Sequence, residues 1–215
     1  MKNITNKNGI IFISGSPLSG KTTIAAKLGS NIEGISILSM DIIRIFSQML
    51  EDQKPDYMRN KFVEYGSCDS YHLVNDGLLT DENLVCGFKQ YSKAVFDPLK
   101  NILSKLDVQG CEHMIIEGVQ LMPELVAPYL GKNAKLIIIN SNDNRLKANR
   151  NKLFGTDKTL EDRYSNDNLN LIQSEILRQA RLLDSNNYKI IDNFGSVSDA
   201  CDEIIKYLVE AEFIK

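Results

Sequence analysis

Short apolar runs alternate with longer amphipathic segments along the chain. Apolar runs bounded by polar or glycine-rich sequence are typical of buried strands, and five of them span residues 10–14, 35–39, 113–117, 135–140 and 188–192. Apolar residues at helical spacing occupy 21–30, 42–50, 81–106, 122–129, 142–152, 166–184 and 197–211. This alternation predicts an α/β fold with a five-stranded parallel sheet flanked by helices.

Length and composition indicate one folded domain over residues 1–215. The chain is 43% hydrophobic and 25% charged, which is near the average for globular proteins. The irregular stretch before the long helix and the polar stretch after the fourth strand interrupt the pattern. We therefore expect a helical insertion at about 52–106 and a lid at about 142–165 in a single domain.

Charge and sequence patterning exclude several classes of protein. The chain has 25 Lys and Arg against 28 Asp and Glu, so its net charge of −3 disfavours a broad nucleic-acid-binding surface. Its apolar runs reach four residues, whereas a membrane-spanning helix needs about 20. The N-terminus has no apolar core of a secretory signal. We therefore expect a protein without a membrane segment.

Cysteine and histidine spacing argues against metal and disulfide frameworks. The 4 cysteines contain no CxxC pair, and the 2 histidines are not paired as HxxxH. Cysteines without such patterning are usual in reducing compartments. The sequence thus indicates a cytoplasmic protein with free thiols and gives no indication of its oligomeric state.

A phosphate-binding loop follows the first predicted strand and opens the first predicted helix. The residues Gly15-Ser16-Pro17-Leu18-Ser19-Gly20-Lys21-Thr22 match GxxxxGK[ST]. In this context the loop amides and the helix N-terminus bind phosphates, the lysine reaches the terminal phosphates, and the threonine hydroxyl binds Mg²⁺. We expect ATP and Mg²⁺ as cofactors, with Thr23 also in the nucleotide site.

Other motifs favour a small kinase over other phosphate-loop proteins. The DxxG sequence at 192–195 follows the last strand, which is the wrong place for a GTPase, and the Asn151-Lys152 pair lacks the aspartate of a base-reading motif. No transporter signature is present, and motor and helicase ATPases are usually larger. A small-molecule kinase remains.

Carboxylates follow two of the predicted strands. Asp41 follows the second strand, where it could accept the proton of a substrate hydroxyl, and Arg44 lies one helical turn later, where it could hold an anionic group. Glu117 ends the third strand beside the phosphate loop and could hold the Mg²⁺ waters or the substrate. An ordinary helix cap at Asp41 and a plain loop acid at Glu117 are the alternatives.

The polar stretch after the fourth strand contains Arg145, Arg150 and Arg163. A lid that closes over transferring phosphate needs cations that stabilise its oxygens and exclude water. Arg150 and Arg163 flank the Gly155-Thr156 turn, so we expect both to act on the transferring group and Arg145 to bind substrate. Ordinary surface arginines are the alternative.

The motifs resemble, in order, those of the archaeal-type 2-phosphoglycerate kinase family. Met40-Asp41…Arg44 is similar to its (T/S)D-x-x-R, Gly87-Phe88-Lys89-Gln90 to its GFxxQ, and the segment from Ile115 to Pro123 to its IIEGVHxxPG. Arg163-Tyr164, Ile172-Gln173 and Ile190-Ile191-Asp192-Asn193 resemble its RY…IQ…VIDN tail. The resemblance extends over nearly the whole chain.

This resemblance implies ATP- and Mg²⁺-dependent phosphorylation of a small acid such as 2-phosphoglycerate, on a nucleotide-kinase-like fold. It implies that Gln90 and Gln120 contact the acceptor and that Asp192 and Asn193 lie near the adenine. Gln120 replaces the histidine of the family, and Leu18 replaces a glycine of its phosphate loop. Because of these departures, the resemblance does not determine the identity of the acceptor molecule.

Several alternatives are consistent with the same residues. The acceptor could be an antibiotic hydroxyl, a nucleotide sugar, a nucleoside or a polynucleotide 5′ end, as in the zeta-toxin and chloramphenicol phosphotransferase branches. A polynucleotide acceptor would require a basic groove and a steep salt dependence. A nucleotide-binding switch that hydrolyses ATP without an acceptor, and a degenerate kinase that only binds nucleotide, also remain open.

Overall fold

The structure is a computed structural model that describes residues 2–4, 9–106, 113–155 and 157–215. Five parallel strands form one sheet in the order β2–β3–β1–β4–β5. They are β1 (Gly9–Ser14), β2 (Ser36–Ser39), β3 (His113–Glu117), β4 (Ala134–Asn140) and β5 (Tyr188–Asp192). The predicted α/β fold with a five-stranded parallel sheet is confirmed.

Eight α-helices connect and flank the strands in the described part of the chain. They are α1 (Lys21–Asn31), α2 (Met40–Asp52), α3 (Asp81–Leu106), α4 (Pro123–Val126), α5 (Asp143–Phe154), α6 (Lys158–Arg163), α7 (Asn166–Ala180) and α8 (Val197–Glu210). Short 3-10 turns lie at Asp56–Met58, Lys61–Val63, Ser70–Leu73, Ala127–Tyr129 and Ser185–Asn187. The stretch between α2 and α3 is therefore mostly irregular.

Two helices end earlier than the sequence predicts. The segment 122–129 is not one helix, because Pro128 cannot donate a backbone hydrogen bond, and a 3-10 turn replaces the second half. The helix predicted at 166–184 ends at Ala180, and Asp184 instead accepts the Asn186 amide at the next 3-10 turn. Both differences arise from local backbone hydrogen bonding.

The two faces of the sheet bury two separate apolar cores. Alternate strand residues such as Phe12 and Ile116 face α2, α3, α4 and α7, while residues such as Ile13 and Ile115 face α1 and α8. Successive side chains of a strand point to opposite faces, so continuous apolar runs are required where both faces are covered. This explains why the strands lack polar alternation.

The carboxyl ends of the strands meet at one edge of the sheet. Ser39 lies beside Glu117 in the register of β2 and β3, and Asn140 lies beside Asp192 in that of β4 and β5. Ligands of open parallel sheets bind at this edge. In the described part of the chain, no helix is long and apolar enough to cross a membrane.

Candidate active site

The phosphate loop, residues 15–22, lies between the end of β1 and the start of α1. Gly15 has a φ of 148°, and a Cβ there would lie 2.5 Å from the carbonyl oxygen of Ile139. Gly20 has a φ of 92°, and a Cβ there would lie 2.8 Å from Nδ2 of Asn193. Both ends of the loop therefore need glycine, and α1 begins directly after it, with the positive end of its dipole at the loop.

Leu18 takes a backbone conformation that glycine usually supplies. Its φ of 64° lies in the left-handed region, which costs a residue with a side chain about 1–2 kcal/mol. The carbonyl of Leu18 accepts a hydrogen bond of 2.7 Å from Nδ2 of Asn149 on α5. This contact holds the strained residue in place and joins the loop to the predicted lid.

Polar side chains from distant elements support the loop from behind. The carbonyl of Ser19 accepts hydrogen bonds from Oγ of Ser141 at 2.9 Å and from Nδ2 of Asn193 at 2.8 Å. The Ser16 amide donates to Oε1 of Gln173 on α7 at 3.0 Å. These three contacts hold two backbone groups of the loop, the carbonyl of Ser19 and the amide of Ser16.

Lys21 is buried inside the loop. Its Nζ donates to the carbonyl of Ser16 at 2.6 Å and to Oγ of Ser19 at 3.3 Å. Burial lowers the pKa of Lys21 to about 8, and the negative charges of Glu117 and Asp41 oppose this effect. An anionic partner strongly stabilises a desolvated ammonium group, and a phosphate would be such a partner for Lys21.

Thr22 and Glu117 lie together beside the loop. Oγ1 of Thr22 donates to Oε2 of Glu117 at 3.2 Å, and the glutamate is almost fully buried at the end of β3. A hydroxyl and a carboxylate oxygen at this separation are hard ligands of the kind that Mg²⁺ prefers. The donor set therefore fits the metal expected from the sequence.

Asp41 and Arg44, near the start of α2, line the same cleft as the phosphate loop. Ser39, not Asp41, caps the helix, since Oγ of Ser39 accepts the Asp41 amide at 3.3 Å. Nε2 of Gln120 donates to Oδ1 of Asp41 at 3.2 Å. The exposed Asp41 carboxylate is thus oriented toward the cleft side of α2 and does not cap the helix.

Gln120 lies beneath the cleft, not in it. It is fully buried, and its Nε2 also donates to the hydroxyl of Tyr91 at 2.7 Å. The structure gives no support for the expected direct contact of Gln120 with the substrate, because Gln120 does not line the cleft and contacts Asp41 and Tyr91, which do. Tyr91 lines the cleft, and its oxygen already accepts from Gln120, so its own O–H can donate to a ligand. Burial raises the pKa of Tyr91, which keeps the hydroxyl protonated.

The two predicted lid arginines occupy different environments. Nε of Arg163, at the end of α6, lies 2.8 Å from Oδ1 of Asp69, and both residues line the cleft. Arg150 is buried, and its Nη1 donates to the carbonyl of Tyr164 at 2.9 Å and to Oδ1 of Asn166 at 3.4 Å. Arg150 therefore does not face the cleft beside Arg163, contrary to expectation. The turn residue Thr156 lies outside the described residues.

Three further expected ligand residues, Arg145 for the acceptor and Asp192 and Asn193 for the adenine, are not among the residues that line the cleft. Arg145 donates to the carbonyl of Gly195 at 3.3 Å and to Oδ1 of Asn193 at 3.5 Å, so it faces the loop after β5. Asn193 is fully buried behind the phosphate loop, and its side chain donates to the carbonyl of Ser19 in that loop. Asp192 is exposed and accepts from Nδ2 of Asn140 at 2.7 Å.

Gln90 is exposed on α3 and is not among the residues that line the cleft. The helical turn places it on the opposite side of α3 from Phe88 and Tyr91, which face the core. The structure therefore gives no support for the contact with the acceptor that the family resemblance implies.

The cleft has a volume of about 920 Å³, which is within the usual range for small-molecule sites. Its floor is the phosphate loop, and its walls come from α2, the stretch between α2 and α3, and the end of α5. The charged residues that line it include Lys21, Asp41, Arg44, Glu117 and Arg163. The arrangement can bind polyphosphate at one end and a second, anionic molecule at the other.

Three residues of this site were not predicted from the sequence: Tyr91, Asp69 and Gln173. Tyr91 shares a helical stripe with Leu84, Phe88 and Val95, and a tyrosine in such a stripe was an available signal, because buried tyrosines need a hydrogen-bond partner. Asp69 lies in irregular sequence and carries no such signal. Gln173 appeared only as part of the family resemblance.

Comparisons with known proteins identify relatives of the same fold. No family model matches the chain. Mevalonate-3-phosphate 5-kinase of Thermoplasma acidophilum is 25% identical over 141 residues, which are 66% of this chain and 65% of the relative. The match thus spans less than two thirds of that protein. The resemblance to the 2-phosphoglycerate kinase family is not confirmed by these comparisons.

Two solved structures are similar to the chain, and one of them has the same architecture. An unliganded sugar kinase from Janibacter sp. HTCC2649 superimposes with a TM-score of 0.52 at 14% identity, over 94% of this chain and 95% of that chain. Shikimate kinase from Aquifex aeolicus gives a TM-score of 0.48 at 14% identity, over 94% and 96% of the two chains. Together with the strand order and the loop after β1, the first of these likenesses shows that the chain has the fold of phosphate-loop kinases.

Proposed function

We propose that this chain is a kinase that transfers the γ-phosphoryl group of ATP to a hydroxyl of a small anionic metabolite. One observation carries the proposal: the phosphate-loop lysine, Lys21, lines the same cleft as a carboxylate and a guanidinium group one helical turn apart, those of Asp41 and Arg44. A nucleotide-binding switch would need Lys21 but would not need the pair of Asp41 and Arg44. The name of the Thermoplasma relative, a kinase, supports the same conclusion.

In the proposed reaction the loop amides and Lys21 hold the nucleotide phosphates. Thr22 and Glu117 would hold Mg²⁺, whose charge offsets that of the phosphates. The acceptor oxygen forms a bond to the γ-phosphorus while the bond to the β-phosphate oxygen breaks, and ADP leaves. Asp41 takes the proton of the acceptor hydroxyl, and Arg163 stabilises the charge on the transferring group.

The acceptor class that fits this cleft best is a phosphorylated hydroxy acid. Arg44 lies one helical turn from Asp41, which suits an anionic group a few bonds from the reacting hydroxyl. The Thermoplasma relative is named for mevalonate 3-phosphate, which belongs to this class, as does 2-phosphoglycerate. We propose the class, and the identity of the acceptor is the first result of the experiment below.

We also propose that the protein acts in a reducing compartment such as the cytoplasm. Cys68, Cys86 and Cys201 are free in the described part of the chain. Burial raises the pKa of Cys68 to about 12, so this thiol stays protonated and unreactive.

The test is a phosphoryl-transfer screen with the purified protein, labelled ATP and Mg²⁺. The panel contains mevalonate 3-phosphate, 2-phosphoglycerate, other phosphorylated hydroxy acids, their dephosphorylated counterparts, sugars, nucleosides, an antibiotic and oligonucleotides. We expect transfer to a phosphorylated hydroxy acid and at least about tenfold less to its dephosphorylated counterpart, because Arg44 then loses its anionic partner.

Two variants show which part of the proposal fails if the screen is negative. Lys21→Ala should abolish transfer and weaken nucleotide binding, whereas Asp41→Asn should abolish transfer with nucleotide binding retained. Transfer to oligonucleotides alone would reject the small-molecule acceptor. ATP hydrolysis that no acceptor stimulates, unchanged in Asp41→Asn, would reject the kinase in favour of a nucleotide-binding switch.

A further inference from the structure

Helix α2 has three distinct faces. Met40, Ile43 and Ser47 are buried against the core. Asp41 and Arg44 line the cleft. Successive residues of an α-helix are about 100° apart, so these two sets leave a broad third face that points away from both the core and the cleft.

This third face is apolar throughout. We call it the outer stripe of α2, and it consists of Ile42, Ile45, Phe46, Met49 and Leu50. The side chains follow the spacing i, i+3, i+4, i+7, i+8, which places them on one side of the helix. Each is between 45% and 61% exposed, and the described part of the chain does not cover them.

An outward helix face is normally polar. Here the two turns between Ile42 and Leu50 contain no polar residue within the stripe, and Asp41 and Arg44 lie on the cleft side instead. Monomeric proteins seldom expose contiguous apolar patches beyond a few hundred Å², and larger ones mark interaction surfaces. The stripe is therefore a candidate interaction surface.

The 3-10 turn that follows α2 carries two further exposed apolar residues. The turn is tied to the last turn of the helix, because Nη2 of Arg59 donates to the carbonyl of Asp52 at 3.1 Å and the Asn60 amide donates to Oε2 of Glu51 at 2.8 Å. It adds Tyr57, which is 88% exposed, and Met58, which is 59% exposed.

We propose that the outer stripe of α2 is the interface of a homodimer, in which the α2 helices of two copies pack against each other in antiparallel orientation about a two-fold axis near Phe46. A two-fold interface brings the same surface of each copy together, so the surface must be complementary to itself. An uncharged apolar stripe meets this condition. Antiparallel packing also opposes the two helix dipoles.

The size of the surface agrees with this partner. A whole aromatic side chain buries about 150–250 Å², so the exposed fractions of the stripe and the adjoining turn amount to apolar area on the order of 500 Å² per copy. A standard interface buries about 800 Å² per partner, with an apolar centre and a polar rim. The apolar surface of α2 thus has the size of such a centre.

The charge around the stripe argues against a membrane as the partner. Helices that lie in a lipid surface carry lysines and arginines on their polar face. Helix α2 carries one arginine, Arg44, against three acidic residues, Asp41, Glu51 and Asp52. The adjoining turn adds Lys54, Arg59 and Lys61 against Asp56, so the surroundings of the stripe hold as many anions as cations and lack the cationic excess that draws a helix to an anionic lipid surface.

The test measures the mass of the protein in solution, by sedimentation equilibrium over a range of micromolar concentrations. We expect a dimer. Phe46→Asp should halve the mass, because it places two charges on the two-fold axis. Leu182→Asp, which changes an equally apolar residue that is 76% exposed outside α2, should leave the dimer unchanged. Thermal melts of both variants show that each is folded.

A cysteine cross-link tests the position of the axis. Phe46→Cys should form a disulfide-linked dimer on mild oxidation, because residue 46 of the two copies would be adjacent, and Leu182→Cys should not. A monomeric parent protein at all concentrations would overturn the proposal. So would a dimer that Phe46→Asp leaves intact. Neither outcome depends on the proposed kinase activity, since no substrate enters the measurement.

Discussion

The backbone of Leu18 carries strain that a substitution can relieve or increase. Its left-handed conformation costs about 1–2 kcal/mol, while glycine in its place would lose about 0.5–1 kcal/mol through the freedom it adds to the unfolded chain. We expect the stability of Leu18→Gly to lie within about 1 kcal/mol of that of the parent. Leu18→Val should be destabilised by more than about 1 kcal/mol, because a β-branched residue rarely adopts this conformation. Urea unfolding measures the free energy of unfolding of the parent and the two variants. Equal stability of Leu18→Gly and Leu18→Val would contradict backbone strain at Leu18.

Tyr91 offers a second test at the scale of one residue. Its oxygen accepts from Gln120, which leaves its O–H for the acceptor molecule. A hydrogen bond to a charged group contributes about 1.5–3 kcal/mol, so Tyr91→Phe should raise the acceptor KM about ten- to a hundredfold and leave the ATP KM unchanged. Tyr129→Phe, which alters a tyrosine that packs on Phe96, is the control. An equal rise of both KM values would contradict a specific role for Tyr91.

Single helices at this site connect several parts of the molecule. Helix α7 contributes Gln173 to the phosphate loop and Glu175 to an ion pair of 2.8 Å with Lys89 of α3. Helix α5 contributes Asn149 to the carbonyl of Leu18. Because these contacts join elements distant in sequence, a change in one helix should affect the loop or the core.

Glu175 allows this coupling to be measured through pH. Its pKa is lowered to about 2, chiefly by hydrogen bonds from Arg178, with Lys89 and Gln179 contributing. A carboxylate whose pKa is lower in the folded chain stabilises it above the unfolded value of 4.5, and this stabilisation is lost as the pH falls from there towards 2. Glu175→Gln should therefore lower the free energy of unfolding at pH 7 by about 2 kcal/mol, with the difference shrinking in acid.

Urea unfolding at pH 7 and pH 3 measures this difference. Glu210→Gln is the matched control, since Glu210 forms an exposed pair of 3.9 Å with Lys206 and such pairs contribute little. A loss of stability in Glu175→Gln that is the same at both pH values would show that packing, and not the charge, is responsible.

At the scale of the whole molecule, one ion pair bridges the cleft. Arg163 of the predicted lid contacts Asp69 of the predicted insertion at 2.8 Å. The pair is partly exposed, so solvent screens much of its attraction and its loss should change stability by about 1 kcal/mol.

Two variants break this pair with different consequences for catalysis. Arg163→Ala removes the cation proposed to stabilise the transferring group and should lower kcat by about 10³-fold or more. Asp69→Asn keeps that cation and should retain most of kcat, while backbone amide exchange in residues 157–163 becomes faster. Steady-state kinetics with the identified acceptor and hydrogen exchange measure the two effects. Equal losses of kcat would show that Arg163 acts only through Asp69.

The sequence was sufficient for features that local patterns encode. Apolar runs identified the five strands of the described sheet, and the runs are continuous in β1, β3 and β4, where both faces are covered, but not in the partly exposed edge strand β2. The loop motif located Lys21 and Thr22, and the ends of two strands located Asp41 and Glu117. These residues are close because parallel strands all end at one edge, and that rule needs no knowledge of packing.

The positions of side chains on helices were harder to predict. Arg150 and Arg163 look equivalent along the chain, yet Arg150 is buried against the turn after α6 and Arg163 faces the cleft. Gln120 and Asn193 were expected to contact ligands, and both are fully buried and do not line the cleft. Such placements depend on how helices and loops pack, which local spacing does not specify.

The sequence by itself determined the fold class, the phosphate loop and the edge of the sheet where chemistry occurs. Those features follow from hydrophobic periodicity and from a motif whose glycines are required by backbone geometry. Only the tertiary structure decided which polar residues reach the cleft, which ones hold the loop from behind, and that the outer stripe of α2 remains uncovered by the described part of the chain. The physical reason is that these outcomes come from contacts between residues far apart in the chain, such as Ser16 with Gln173 and Arg163 with Asp69.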